Sequence, residues 1–396
     1  QWLKAGLEDA VSVGNALFAK HLLQMGASAN SFVGHGDDTV LHLAVTNAHG
    51  TMVRVLVDHG AVHDAANKND STPLQLAAMV GNLQAAEELL FAGARNIDDS
   101  DNQGRTALHK ATARGNVPAM EMLARRGANV NARDRRWRTP LHVAARGGSS
   151  AAVLSLLQLG ATIDVVDSDG RTPLHLTMFT STHCRSKAAH ALMGAGANVN
   201  LRCSGDDLSP VEYAADNGHV RLLKALVDHG ADVNCTNLEG LTALHCAADN
   251  DNPEAVGALL ECGADVDAPD VDGGTPLHHA SVEDSAEAAR CLLVNGAAIN
   301  AVNYFNQSPL QVAVRQSWED SHVDVVDLLL KAGADETCVD DEGLTLAQAM
   351  GLDLGNILFI LESTAPHYNV RTLELLANAP ADKAWRRRRF LTMCRA

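Results

Sequence analysis

The chain has 396 residues, of which 46% are hydrophobic, and its formal net charge is −17. The apolar fraction is sufficient for a sizeable buried core, which argues against a disordered chain. The negative charge argues against whole-surface affinity for nucleic acid, which requires clustered lysine and arginine. No apolar run reaches the roughly 18 residues that a membrane span requires, so none is predicted.

The eight cysteines are spread along the chain without a C-x-x-C pair, a distribution that favours neither a zinc ribbon nor a disulfide framework. We interpret them as reduced thiols, which predicts a cytoplasmic or nuclear location. The sequence contains no phosphate-binding loop, G-x-S-x-G or H-E-x-x-H motif. We therefore predict that the protein is not an enzyme and has no cofactor, catalytic residue or metal site.

In chain order, two markers recur with nearly constant spacing. A hydroxyl residue recurs at intervals of 33 or 34 residues, except for two intervals of 37, and a Gly-Ala pair follows it, usually 21 residues later. The hydroxyl positions are Thr39, Thr72, Thr106, Thr139, Thr172, Ser209, Thr242, Thr275, Ser308 and Thr345. Two series locked in phase predict a tandem array of repeats.

The repeat at 208–234, LSPVEYAADNGHVRLLKALVDHGADVN, shows the local structure that we predict for the others. Ser209 can cap a helix that has Pro210 at its first position. The apolar spacing of Leu222, Leu223 and Leu226 predicts a second, amphipathic helix, which Gly230 ends in a left-handed conformation. The polar segment that follows is rich in Asn, Asp and Gly, a composition typical of a turn or hairpin.

Several short motifs resemble the consensus of the ankyrin-repeat family, and they recur over about residues 6–362. These motifs are TPLQLA (72–77), TPLHVA (139–144), TPLHLT (172–177), TALHCA (242–247) and GADVN (230–234). The resemblance implies an all-α-dominated solenoid of about ten to eleven helix–turn–helix repeats with short β-hairpin fingers. We expect an N-terminal cap at about 6–30, a C-terminal cap at about 343–362 and a basic tail at 363–396.

One histidine recurs per repeat, three positions after the hydroxyl residue, at His42, His109, His142, His175, His245 and His278. Equivalent residues of adjacent repeats lie one repeat apart, so they cannot converge on one metal ion. The ankyrin resemblance implies a scaffold role for this histidine, which hydrogen-bonds backbone between repeats. The doublet His278–His279 is also not predicted to bind a metal.

Departures from the periodic pattern are better candidates for function than the periodic residues themselves. Two insertions lengthen the turn between helices, at 178–187 and at 315–324, and the second carries Trp318. Residues 101–150 contain ten lysines and arginines against three acids, whereas residues 232–289 contain thirteen acids and no lysine or arginine. The sequence thus predicts one basic and one acidic region.

The basic region contains Trp137 between arginines, in the segment that we predict to be a finger. Exposed aromatic and arginine side chains are the residue types that anchor protein interfaces. The predicted protein-binding residues are Arg105, Arg135, Arg136, Trp137, Arg138, Tyr304, Phe305 and Trp318. An alternative is that an arginine stacks on Trp137 and only shields it.

The tail ends in DKAWRRRRFLTMCRA and carries a basic motif, Arg386, Arg387, Arg388 and Arg389. This motif is typical of a nuclear-import signal, of a basic amphipathic helix, or of a segment that docks on the acidic repeats. RFLTMCRA also resembles the start of the SOCS box, an elongin-binding module, with Phe390, Met393 and Cys394 in its positions. The arginine run is foreign to that motif, and residues up to Ala396 match only its first half.

We predict a monomeric, non-enzymatic scaffold or adaptor that binds an acidic segment of a partner protein and does not bind nucleic acid. The alternatives are a substrate receptor of a ubiquitin ligase and the repeat region of a larger multidomain protein.

Overall fold

The structure of the chain is a computed structural model, which describes residues 2–33, 37–93, 97–178, 186–205, 207–316, 324–335 and 339. Several predicted features lie outside the described residues: most of both insertions with Trp318, the C-terminal cap at 343–362, and the tail with Arg386–Arg389. The chain divides into two compact units, one formed by residues up to 198 together with 203–205 and one formed by 199–202 together with the residues from 206 onward.

The first compact unit is built from helices arranged in consecutive pairs. They are α1 (Trp2–Val13), α2 (Ala16–Gln24), α3 (Val40–Thr46), α4 (Gly50–Asp58), α5 (Pro73–Val80), α6 (Leu83–Phe91), α7 (Ala107–Ala113), α8 (Val117–Arg125), α9 (Pro140–Gly147), α10 (Ser150–Gln158), α11 (Pro173–Leu176) and α12 (Ser186–Gly194). The first helix of each pair packs on the first helix of the next pair, as α5 does on α7 and α7 on α9. Second helices stack likewise, as α4 does on α6.

The second compact unit repeats the same arrangement. Its helices are α13 (Pro210–Asp216), α14 (Val220–Asp228), α15 (Ala243–Asp249), α16 (Pro253–Glu261), α17 (Pro276–Val282), α18 (Ala286–Val294), α19 (Pro309–Gln316) and α20 (Asp324–Ala332). Helix α13 begins at Pro210 with Ser209 as its N-cap, and Gly230 follows α14 with φ of +87°, as the sequence of this repeat predicts.

From α3 onward, each first helix begins directly after the recurring hydroxyl residue. At Thr39, the backbone N–H donates to Nδ1 of His42 over 3.1 Å, and Nε2 of the same ring bonds the carbonyl oxygen of Ser71 in the next repeat over 3.1 Å. Because Nδ1 accepts a hydrogen bond, the ring proton is on Nε2, which donates to that carbonyl. His109, His142, His245 and His278 make the equivalent inter-repeat bond. The scaffold role that the ankyrin resemblance implied is thus present in the structure.

The core is formed by small and branched apolar side chains at fixed repeat positions. A fully buried leucine lies on the second helix of successive pairs, at Leu56, Leu89, Leu123, Leu156, Leu192, Leu226, Leu259, Leu292 and Leu329. Alanine recurs where adjacent first helices meet, at Ala44, Ala77, Ala111, Ala144, Ala247, Ala280 and Ala313. Each such leucine contributes about 1.5–3 kcal/mol by its burial, and alanine allows close approach of the helices.

The predicted fold class is confirmed, and the structure defines the fingers more closely. An isolated β-bridge joins Phe32 and Thr39, and Val339 is also a bridge residue, whereas the described fingers between residues 67 and 307 are tight turns. In seven fingers an Asp or Asn at the base accepts hydrogen bonds from backbone N–H groups two and four residues later, as Asn237 does from Glu239 and Leu241; the seven are Asn67, Asp101, Asp134, Asp167, Asn237, Asp270 and Asn303. These Asx turns present the intervening side chains to solvent.

Candidate protein-binding site

The finger at 134–138 is held by the buried carboxylate of Asp134. Its Oδ1 accepts from the backbone N–H groups of Arg136 (2.8 Å) and Arg138 (3.0 Å), and its Oδ2 accepts from Arg138 Nε (2.9 Å) and Nη2 (2.7 Å). Burial by itself would raise the pKa of Asp134, but the hydrogen bonds from Arg138 hold that pKa below its ordinary value. Arg138 therefore belongs to the base of the finger.

The preceding finger has the same construction with one additional cation. Asp101 accepts bidentate hydrogen bonds from Arg105 at 3.0 and 2.8 Å, and Lys110 Nζ of α7 lies 2.7 Å from the same carboxylate oxygen. Lys110 also donates to Ser71 Oγ over 3.2 Å. Although burial opposes ionisation, these cations hold the pKa of Asp101 well below its ordinary value. The carboxylate remains ionised and fixes both cations.

These two fingers and helices α7 and α9 enclose a cleft of about 780 Å³. Six of the side chains that line it are cationic and one is acidic: Arg105, Lys110, Arg135, Arg136, Arg138 and Arg146, with Asp134. The structure therefore brings four of the predicted protein-binding arginines together in one cleft, Arg105, Arg135, Arg136 and Arg138, and Lys110 and Arg146 join them there. Such a concentration of one sign of charge in a concave surface attracts anions.

Within the described part of the molecule, Arg135, Arg136 and Arg146 form no ion pair, in contrast to Arg105 and Arg138. Backbone bonds still position the finger, because Arg135 N–H donates to Gln103 O and the carbonyl oxygen of Arg136 accepts from Ser168 N–H. Three guanidinium groups on a hydrogen-bonded backbone are thus available to a ligand, since no carboxylate among the described residues pairs with them.

Trp137 has a left-handed backbone, with φ of +59°. The equivalent finger position is glycine in four other fingers that are described, Gly104, Gly170, Gly240 and Gly273, all with positive φ. A bulky residue in this conformation is strained by about 1–3 kcal/mol. The side chain of Trp137 is 56% exposed, so burial of the indole does not offset this strain.

The indole of Trp137 lies beside Arg133, whose guanidinium carbon is 5.2 Å from the ring centroid. This contact is the arginine–tryptophan stacking that the sequence raised as an alternative, and at an exposed site it contributes about 0.5–1 kcal/mol. Trp137 is not among the residues that line the cleft. The finger thus presents the free arginines to the cleft and a half-exposed indole next to it.

The remaining predicted residues are placed as follows. Tyr304 and Phe305 lie at the tip of a finger in the second compact unit, 72% and 52% exposed, respectively. Trp318 and Arg386–Arg389 lie outside the described residues.

The histidine doublet separates into two different roles. His278 caps α17, whereas His279 lies between two carboxylates, with Nδ1 3.0 Å from Asp249 Oδ1 and Nε2 2.7 Å from Asp270 Oδ2. Burial opposes protonation of His279, but the two carboxylates raise its pKa above the ordinary value. Each ring nitrogen of His279 thus faces a carboxylate oxygen, an arrangement that favours the protonated ring.

The potential ligand atoms of His245, Asp270 and His279 lie within 4.8 Å of one another. Both ring nitrogens of His245 take part in hydrogen bonds, from Thr242 N–H to Nδ1 and from Nε2 to the carbonyl oxygen of Gly274. Burial and the neighbouring His279 lower the pKa of His245 to about 4. The cluster already satisfies its nitrogen atoms with protons and hydrogen bonds, so we assign it to the scaffold.

Stacked helix pairs, histidine-capped first helices and turn-like fingers define a tandem-repeat protein of the helix–turn–helix class. Family models described as ankyrin repeats match residues 7–101, 63–134, 122–176, 177–270 and 267–340. The chain belongs to the ankyrin-repeat family. Ankyrin repeats are a protein–protein interaction fold. The family models that match this chain all describe ankyrin repeats, and none describes a catalytic domain.

Similar proteins include human ankyrin repeat and SOCS box protein 16, which is 37% identical over 112 residues, or 28% of this chain and 24% of that protein. A Caenorhabditis elegans homolog of transient receptor potential cation channel subfamily A member 1 is 38% identical over 79 residues, or 20% of this chain and 6% of the relative. Human Rabankyrin-5 is 28% identical over 116 residues, which cover 29% of this chain and 9% of that protein. The chain therefore matches less than a quarter of the length of these relatives.

Among solved structures, the ankyrin repeat domain of Bcl-3 is similar to 53% of this chain and 94% of that chain, with 29% identity and a TM-score of 0.49. None of the helices in the described residues is long and apolar enough to cross a membrane.

Proposed function

We propose that the protein is a non-enzymatic adaptor that binds an acidic segment of a partner protein in the cleft between the fingers at 101–105 and 134–138. The observation that carries this proposal is the set of six cationic side chains around the cleft. Arg135, Arg136 and Arg146 supply the free charge, and Asp101 and Asp134 hold the remaining cations in place. Trp137 anchors an apolar residue of the same partner.

The partner is expected to be a short peptide segment rather than duplex DNA. The acidic residues elsewhere on the chain, with a net charge of −17, repel a long polyanion, whereas a short segment contacts the basic cleft alone. The strained backbone of Trp137 supports a binding role, because strain that no buried contact offsets is typical of functional positions.

The direct test measures binding of a fluorescein-labelled peptide of twelve glutamates and, separately, of a 20-base-pair DNA duplex. The double variant Arg135→Glu/Arg136→Glu should bind the peptide at least about tenfold more weakly. The matched control is Arg114→Glu/Arg126→Glu, because these exposed arginines lie outside the cleft lining. Equal loss in both variants, or tighter binding of the wild type to DNA than to the peptide, would contradict the proposal.

A second candidate function is that of a substrate receptor in a ubiquitin ligase. It is favoured by the match to ankyrin repeat and SOCS box protein 16 and by the resemblance of RFLTMCRA in the tail to the start of a SOCS box. Pull-down with purified elongin B–elongin C tests this candidate. Retention by the wild type and loss in Phe390→Ala/Met393→Ala would support it, and no retention of the wild type would reject it.

The limited coverage of the relatives also supports the alternative in which this chain is the repeat region of a larger multidomain protein. For location we propose the cytoplasm or nucleus, because the described cysteines are free thiols.

A further inference from the structure

Three successive fingers of the second compact unit carry an exposed apolar residue at the same position. Leu238, Val271 and Tyr304 each follow directly the Asp or Asn at the base of their finger, and they are 85%, 59% and 72% exposed. Phe305, the next residue of the third finger, is 52% exposed. We call Leu238, Val271, Tyr304 and Phe305 the apolar finger row.

Backbone hydrogen bonds hold these fingers side by side. Val271 N–H donates to the carbonyl oxygen of Glu239 over 3.1 Å, and Tyr304 N–H donates to that of Asp272 over 2.8 Å. The ring of Tyr304 lies against Gly273, where an added Cβ would be 2.8 Å from its Cδ1 atom. The apolar finger row is therefore one surface on consecutive fingers rather than scattered side chains.

The repeat fold does not require apolar residues at this position. In the first compact unit, the equivalent residues after the finger base are Lys68, Asn102, Arg135 and Ser168. Those fingers form the same Asx turns with polar or charged tips. Folding of the repeats therefore does not explain the apolar finger row, and exposure of apolar side chains to water is unfavourable. A bound segment that buries these side chains would explain them.

The charge around the row limits the chemistry of that occupant. Glu239 and Asp272 are exposed and lie between the apolar side chains, and residues 232–289 contain thirteen acids and no lysine or arginine. An occupant therefore needs apolar side chains to cover the row and cations to pair with the interspersed carboxylates. Arginine suits this role, because its guanidinium forms bidentate pairs and also stacks on aromatic rings such as Tyr304.

We propose that the apolar finger row binds residues 384–391 of this same chain, AWRRRRFL. This segment joins four consecutive arginines to Trp385, Phe390 and Leu391, the composition that the row and its carboxylates require. Trp385 lies 46 positions after Val339, the last residue that the structure describes. Because the segment is covalently connected to the row, its effective concentration at the row is high. A separate partner protein would have to be present at high concentration to compete with it.

The docked segment covers Tyr304 and Phe305, so it regulates access of other proteins to this finger. It is independent of the basic cleft, which lies in the first compact unit and involves none of the residues of the apolar finger row. Release of the segment requires a competing anion or apolar ligand, and high salt weakens the arginine–carboxylate part of the contact.

The test is photo-crosslinking in the 396-residue chain. A benzoylphenylalanine is incorporated at position 271, in the centre of the row, and for the matched control at position 168, the equivalent finger position of the first compact unit. Irradiation is followed by gel separation and by mass spectrometry of tryptic peptides. We expect an intramolecular crosslink from position 271 to peptides within 384–396, in the monomer band and independent of protein concentration, and no such crosslink from position 168.

Two further variants test the same contact from both sides, so that the result does not depend on the benzoylphenylalanine label alone. Replacing Arg386, Arg387, Arg388 and Arg389 by Glu should lower the crosslink yield by about tenfold, and so should 1 M NaCl to a smaller degree. Leu238→Ser/Tyr304→Ser should lower it as well, with an unchanged circular dichroism spectrum. Equal crosslinking from positions 168 and 271, unchanged yield after charge reversal, or crosslinks only to a second copy of the chain would overturn the proposal.

Discussion

The guanidinium of Arg202 lies 2.9 and 3.0 Å from the two carboxylate oxygens of Glu212, which is fully buried at the start of α13. Glu212 occupies the capping position that histidine or glutamine fills in the other described repeats, and its Oε2 accepts from Ser209 N–H and Oγ. Burial raises the pKa of Glu212 even though Ser209 and Arg202 oppose the shift. Arg202 is thus the counterion that permits a carboxylate at a scaffold position.

Removing this counterion should destabilise the second compact unit strongly. Arg202→Ala leaves a buried carboxylate without its cation, a change that costs about 3–5 kcal/mol in other proteins. In the double variant Arg202→Ala/Glu212→Gln, most of the loss should be recovered, because Gln75 and Gln311 serve the same cap without a charge. Urea unfolding followed by circular dichroism measures both; equal instability of the single and double variants would contradict this account.

The capping histidines should make the repeat array sensitive to acid. Burial lowers the pKa of His142, while its Nδ1 accepts from Thr139 N–H in the neutral form. In the unfolded chain the imidazole takes up a proton near pH 6.5, so its contribution to stability is complete above that pH and is lost as the pH falls below it. We expect the melting temperature to decrease between pH 7.5 and pH 5.

His142→Gln provides the matched control, because glutamine keeps both hydrogen bonds and does not titrate. The variant should be nearly as stable as the wild type at pH 7.5 and lose less stability at pH 5. His279 acts in the opposite direction: its pKa is raised, so the stability that it contributes is complete below pH 6.5 and is lost as the pH rises through its folded pKa. An identical pH dependence of wild type and His142→Gln would show that the capping histidine does not control it.

Much of the scaffold could be predicted from the sequence, because its determinants are local. Ser209, Pro210 and Gly230 specify helix starts and ends through caps, a fixed φ and a left-handed residue, whatever the distant contacts are. The regular spacing of these residues then predicts the stacking. The hairpin fingers are less regular than expected, because an Asx turn, rather than strand pairing, satisfies the backbone of most of them.

The cleft was only partly predictable, because side-chain direction depends on partners from other repeats. Arg105 and Arg138 turn to Asp101 and Asp134 at the finger bases, whereas Arg146 enters the cleft from α9. Runs of charge do not distinguish these roles. One feature of the sequence would have indicated the unusual backbone of this finger. When the fingers are aligned, Trp137 occupies the position of Gly104 and Gly170 in the neighbouring fingers.

Trp137→Gly should separate stability from binding. Glycine adopts positive φ without strain, so loss of the stacking contact with Arg133 is offset and the free energy of unfolding should change by less than about 1 kcal/mol. By comparison, Leu141→Ala in the adjacent helix, where Leu141 is fully buried, should cost about 2–5 kcal/mol. Thermal unfolding measures both. If Trp137→Gly were as destabilising as Leu141→Ala, the indole would be a structural residue and not an anchor for a partner.

The arginines and Trp137 should affect different steps of partner binding. Arg135 and Arg136 are exposed and have no ion pair among the described residues, so they act through long-range attraction of an acidic segment; Arg135→Glu/Arg136→Glu should slow association and flatten its salt dependence. Trp137→Ala removes apolar contact area formed only in the complex, and it should mainly speed dissociation. Surface plasmon resonance with an acidic peptide that contains one aromatic residue, at 50 and 300 mM salt, resolves both rates. Faster dissociation in the arginine variant with unchanged association would place the arginines, not the indole, at the anchoring contact.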